Sequence, residues 1–189
     1  MMFLLRMLMR RKGGGSMDPL QVSMTGVRMG ERFLLVGCHD KALLSGLAAK
    51  VGLSGTSAVA AFDQAQARLA EKVGAQVGAL IEVKPIEPST SIGAGGQPLP
   101  FDGNLFDMVV IDDTNGAFSS IDESRRLEYL RDAKRTVRNG GRIEVVENIK
   151  TRAPSSDPLR DLSSAGFKPV RVLAERDGFR FVEGLKPNL

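Results

Sequence analysis

The 189 residues, 42% hydrophobic and 25% charged, have the composition of one ordinary globular domain and exclude a collagen-like or disordered chain. One cysteine, Cys38, rules out an internal disulfide framework, and with the single histidine, His39, it leaves too few ligands for a structural zinc site, so no metal is expected. The net charge of +4 comes from Arg6, Arg10, Arg11 and Lys12, which precede the first acidic residue, Asp18, and a formally neutral remainder without tryptophan lacks the basic field and stacking platforms of a nucleic-acid binder.

Residues 1–12 read MMFLLRMLMRRK, with Phe3, Leu4, Met7 and Leu8 at helical spacing. Arg6 and Arg10 interrupt the run, which falls far short of the roughly 20 apolar residues that span a bilayer. The pattern suits weak contact with an anionic membrane surface, each basic residue adding about 1 kcal/mol. A disordered start, initiation at Met17 and a helix packed on the body are the alternatives. A signal peptide fits worse, because the basic residues follow the apolar run. Gly13-Gly14-Gly15-Ser16 reads as a flexible linker, so residues 1–17 form a tail and residues 18–189 a single domain. The expected location is cytoplasmic, with membrane association at most peripheral.

From Arg32 onward short apolar runs alternate with helical stretches, the pattern of strand–helix–strand units around a parallel sheet. Strands are predicted at Arg32–Val36, Ser57–Ala61, Ile81–Lys84, Met108–Ile111, Arg142–Glu147, Pro169–Glu175 and Gly178–Gly184. Helices are predicted at Ala42–Val51, Asp63–Val73, Ser124–Val137 and Pro158–Ala165. The third of these places Leu127, Leu130, Lys134 and Val137 on one side and should stop at Asn139-Gly140-Gly141, a C-cap signal. Asp177-Gly178 reads as a hairpin turn, making the last strand antiparallel. The fold class is therefore α/β, a Rossmann-like doubly wound sheet of seven mostly parallel strands.

The ordered set RFLLVGC, LPFDGNLFDMVVI, LRDAKRTVRNGGRIEVVE and SSAGFKPVRVLAERDGFRFVEG resembles the class I S-adenosylmethionine-dependent methyltransferase superfamily, nearest its ubiquinone and menaquinone methyltransferase group. The resemblance runs from about Gly26 onward. It implies S-adenosylmethionine as cofactor, bound beyond the carboxyl ends of the strands where the strand order reverses. Val36, Gly37, Cys38 and His39 occupy the loop that would approach the methionine moiety. Of the three glycines that the family places there, Gly37 alone remains; His39 and Lys41 stand at the other two positions, and Leu35 stands where the family has an acid. Ala61 falls near the ribose-binding carboxylate, with Phe62 and Asp63 next to it, and Asp63 serves either the ribose or the following helix as N-cap. Glu87 matches the position that meets the adenine amino group, and residues 88–97 form a Ser/Thr/Gly-rich insertion, either a lid or disordered.

Asp112 and Asp113 follow the fourth strand, where carboxylates face an acceptor or simply form a turn with Thr114-Asn115-Gly116. His39 is the remaining candidate for proton transfer. A short segment before the first strand and a brief loop over residues 148–157 imply an open pocket. Two functions follow as expectations: methyl transfer to an unidentified acceptor, with weakened cofactor binding, or a catalytically silent methyltransferase-like module that binds a protein partner, at a membrane surface or away from one. A dinucleotide-binding Rossmann protein is disfavoured by the missing glycine fingerprint.

Overall fold

The computed structural model describes residues 17–86 and 99–188. Residues 1–12, the linker, Glu87 and the 88–97 insertion, all singled out above, lie outside the described residues. The described chain forms a seven-stranded sheet in the order β3-β2-β1-β4-β5-β7-β6. Its strands are β1 (Arg32–Val36), β2 (Thr56–Ala61), β3 (Ile81–Pro85), β4 (Phe106–Asp113), β5 (Val137–Asn148), β6 (Val170–Arg176) and β7 (Phe179–Leu185). The first five pair in parallel, and β7 runs antiparallel to both β5 and β6. The helices are α1 (Pro19–Ser23), α2 (Lys41–Val51), α3 (Gln64–Val77), α4 (Glu123–Thr136) and α5 (Pro158–Ser164). No helix among the described residues is long and apolar enough to cross a membrane.

Period-two alternation on β1 divides the core. Leu34 and Val36 pack with Tyr129, Leu130, Leu162 and Phe167 on the side covered by α4 and α5. Phe33 and Leu35 pack with Val22, Leu43, Leu47 and Val73 on the side covered by α1, α2 and α3. Burial on both faces explains why the parallel strands read as continuous apolar runs. The Asp177-Gly178 turn has positive φ at both residues, +50° and +87°, the geometry that matches strand twist in a tight hairpin. Phe179, Phe181 and Val182 of β7 are buried in the sheet.

Several predicted boundaries differ. The five-residue helix α1 was not predicted, although Asp18 and Gln21 form a capping box around Pro19. Helix α3 continues past Val73 to Val77 and ends at left-handed Gly78. Helix α4 stops at Thr136, and Val137 already begins β5, so Asn139-Gly140-Gly141 lies inside a strand. Those glycines allow close strand approach: a Cβ on Gly141 would meet Val137 and the Asp107 carbonyl, and Gly140 N–H donates to the Lys186 carbonyl at 3.1 Å. The buried side of α4 carries Arg126, Tyr129, Leu130 and Ala133, one position off the predicted stripe. Arg126 is admitted to the core by Asp161 of α5 at 3.0 Å and by the Ser119 and Ile121 carbonyls. Asp112 and Asp113 are the last residues of β4 itself, and both are buried.

On the outer strands the side chains are of another kind. β3 exposes Glu82 and Pro85, and β6 exposes Arg171, Glu175 and Arg176 around a register shift between Val172 and Ala174.

Candidate functional site

The strand order reverses between β1 and β4, which opens a crevice at their carboxyl ends. β1 leaves the sheet through Gly37 at φ +78°, a conformation that favours glycine. A Cβ there would lie 3.2 Å from the Phe62 ring and 3.3 Å from the Asp112 carbonyl. Phe62 thus closes over the loop from the end of β2, its ring edge-on to Tyr129 at 5.9 Å.

Two side chains organise the loop. Asp112 Oδ2 accepts from the N–H groups of His39 (2.7 Å) and Asp40 (2.9 Å), while its Oδ1 accepts from Thr114 N–H (3.1 Å) and the Thr114 hydroxyl (2.6 Å). Gln66 Oε1 accepts from Cys38 N–H and from Phe62 N–H, both at 3.1 Å. Asp40 then caps α2 through Ala42 and Leu43 and also accepts the Met17 N–H at 2.8 Å. The carboxylate that holds the loop reaches in from β4, while Leu35, at the position where the resemblance leads one to expect an acid, is wholly buried in the α2-side core.

His39 stands between two amides, Nε2 at 3.3 Å from Gln66 Nε2 and Nδ1 at 2.9 Å from Asn115 Nδ2. Both amides are oriented by backbone donors, because Gln66 Oε1 is used as above and Asn115 Oδ1 accepts from Ala117 N–H at 3.0 Å. A neutral imidazole accepts at one nitrogen only, so His39 satisfies one amide at a time. With Phe62, Asp63, Gln66, Ala117 and Ile121 it lines a cavity of about 270 Å³, slightly below the roughly 300–1,000 Å³ common for small-molecule sites. Asp63 Oδ1 caps α3 through Gln66 N–H at 2.8 Å, and its exposed carboxylate stands at the cavity mouth.

Of the remaining candidates Cys38 stays on the loop, while Asp113 and Val36 separate from it. Cys38 is buried, and desolvation, reinforced by nearby Asp112 and Asp40, pushes its thiol up to about 12. Asp113 faces the opposite side of the sheet and accepts Ser119 N–H at 3.0 Å; burial, with the Glu147 charge adding to it, raises it to about 6. Val36 is core. The structure therefore brings Gly37, Cys38, His39, Phe62, Asp63 and Asp112 together and leaves Asp113 beneath them. Gln66 and Asn115 were missed from sequence. Gln66 had a signal, standing three residues after an N-cap where a side chain can fold back on the preceding loop.

An adenosyl cofactor fits this site at one end. Asp63 and the apolar walls of Phe62 and Ile121 suit a ribose and a flat base. At the loop, the N–H groups of Cys38, His39 and Asp40 are already bonded within the chain.

No family model matches the sequence. Over 91 residues, 47% of this chain, it is 31% identical to the 2-methoxy-6-polyprenyl-1,4-benzoquinol methylase, mitochondrial, of Leishmania donovani, a match that spans 30% of that protein. Among solved structures, a SAM-dependent methyltransferase from Aquifex aeolicus superposes with a TM-score of 0.67 at 20% identity, covering 90% of each chain. The [4+2]-cyclase SpnF superposes with a TM-score of 0.62 at 15% identity, over 90% of this chain and 81% of that one. A cyclase and a methyltransferase on one architecture mean that the reaction must be argued from the site. With its strand order, its antiparallel β7 and these likenesses, the chain has the fold of the class I S-adenosylmethionine-dependent methyltransferase superfamily.

Proposed function

We propose that the protein is a methyltransferase that binds S-adenosylmethionine weakly in the cavity between His39, Phe62, Asp63 and Gln66. The observation that carries this reading is the placement of left-handed Gly37 at the switch point with Asp63 at the mouth of the same cavity. The cofactor supplies an electrophilic methyl group, and transfer needs an acceptor held in line with it. The chain's part is positional: Asp112 and Gln66 fix the loop, Phe62 shields it from water, and Asp63 offers a ribose acceptor. His39 lies on the cavity wall, placed to take a proton from an acceptor. The absence of a carboxylate at position 35 removes one charge-assisted contact, worth roughly 1.5–3 kcal/mol and so about a tenfold to a hundredfold loss in affinity.

Titration calorimetry of the full chain with S-adenosylmethionine and with its demethylated product tests the proposal. Saturable heat that Asp63→Ala abolishes supports it. No saturable heat from either ligand overturns it and favours a silent module, the second reading, which the internal bonding of the loop amides supports.

A further inference from the structure

Three large apolar side chains stand almost bare where the strands begin, at the end of the sheet opposite the crevice: Met29 (81% exposed), Leu53 (90%) and Leu80 (96%). They precede β1, β2 and β3, which are neighbours in the sheet. Gly30 N–H donates to the Val51 carbonyl at 2.9 Å and Thr56 N–H to the Glu31 carbonyl at 3.2 Å, so the segments carrying Met29 and Leu53 are bonded together. Leu80 adjoins Ile81, the register partner of Ser57, which sets it beside Thr56. At about 4.8 Å between strands, the row extends over roughly 10 Å. Leu53 follows Gly52, which ends α2 at φ +67°, a place from which an apolar side chain frequently folds back onto its own helix. It stands in solvent instead. Arg28 and Lys50, both exposed, flank the row, whereas the acids beside it are held by arginines, Glu31 by Arg142 and Asp107 by Arg32 and Arg138. Farther along this end Asp102 is exposed before β4 and Lys168 before β6.

We propose that this end of the folded body docks on an anionic lipid surface, with Met29, Leu53 and Leu80 entering the boundary between headgroups and acyl chains and with Arg28 and Lys50 meeting lipid phosphates. Single exposed apolar residues are ordinary, but three in one row with basic residues around them mark a contact surface. The charge selects an anionic partner. The form selects a fluid one, because separate tips are each buried in a bilayer interface without matching a second surface, whereas a stable protein interface needs about 1,000 Å² of complementary area. The contact is independent of residues 1–12. It also sets the orientation of the molecule: β1, five residues and so about 16 Å long, carries Gly37 and the cavity to the side away from the lipid, where an acceptor arrives from water.

The test exploits a chain without tryptophan. In the full chain, Leu53→Trp introduces a single fluorophore at an exposed position, and Ala65→Trp, exposed at the start of α3 on the crevice end, is its control. On addition of phosphatidylglycerol vesicles with brominated acyl chains, emission from Leu53→Trp should shift to the blue and be quenched, while that from Ala65→Trp stays unchanged. In the Leu53→Trp background, Arg28→Gln with Lys50→Gln should weaken partition roughly thirtyfold, and Met29→Ser with Leu80→Ser should weaken it tenfold or more at the same net charge. Quenching at neither position, or equal quenching at both, overturns the proposal. Partition that neither pair of substitutions weakens overturns it as well. A blue shift of Leu53→Trp that rises with protein concentration before any vesicle is added overturns it in favour of a second copy of the chain as the partner.

Discussion

Gln66 competes with any ligand for the loop it holds, and its removal should move stability and affinity in opposite directions. Gln66→Ala leaves the Cys38 and Phe62 N–H groups without their acceptor. An orphaned buried donor costs about 1–3 kcal/mol, so the pair sets a range of roughly 2–6 kcal/mol. The adjacent cavity admits water to both, which places the expected loss near the lower end, about 2–3 kcal/mol. For a domain of this size that is a fall in Tm of roughly 5–10 °C. Binding should respond the other way, because two freed donors facing the cavity add on the order of tenfold to the affinity for an adenosyl ligand. Gln66→Glu is the control: it keeps the acceptor for both amides and turns a second oxygen toward His39 Nε2, so Tm should stay near that of the natural protein with no gain in affinity. Circular dichroism melts and calorimetric titrations of the three proteins decide the matter. An unchanged Tm for Gln66→Ala would refute the assigned role of the glutamine, and a lower Tm with unchanged affinity would refute its competition with ligand.

Glu144 is wholly buried with neither carboxylate oxygen hydrogen-bonded, and desolvation, with the nearby Glu183 charge, raises it well above its ordinary value. The folded chain then retains a proton that the unfolded chain releases, so stability falls as pH rises through and above the ordinary carboxyl range. Glu144→Gln should melt with the natural protein near pH 4 and at higher temperature near pH 8; parallel curves at both would contradict this. Asp161→Ala should cost about 3–5 kcal/mol in chemical denaturation by stranding Arg126 in the core, and replacing both members of the pair with apolar residues should recover most of the loss. Cys38, buried with its thiol held near 12, should resist iodoacetamide in the native protein and react only after unfolding.

The architecture was legible because both faces of the sheet are buried, which wrote the strands as apolar runs, and because Asp177-Gly178 specified a tight turn. The end of α4 was misread because two adjacent glycines signal a helix cap as readily as a close strand crossing, and only the position of Asp107 and Lys186 across the chain decides between them. The site was legible in outline, through Gly37 and Asp63, and obscure in its wiring. Asp112 holds the loop from a strand more than 70 residues away, and Gln66 from a helix 28 residues away. Contacts of that range hold the loop without a local motif that would announce them. The buried Arg126 carries no local signal either, because its partner Asp161 lies on another helix.

The two outermost strands bear on how the molecule behaves among its own copies. An open sheet ends in unpaired backbone groups, and a flat apolar edge would template pairing with a neighbouring chain. Here β3 ends in Pro85, which donates nothing, and exposes Glu82, while β6 breaks its register at Val172–Ala174 and surrounds the exposed Val172 and Leu173 with Arg171, Glu175 and Arg176. Proline, charge and an irregular edge each discourage strand addition. Resistance to aggregation is thus built into the rim of the sheet, independently of what its centre binds, and an apolar replacement of Arg171 and Glu175 would be the change that exposes the molecule to filament-like association.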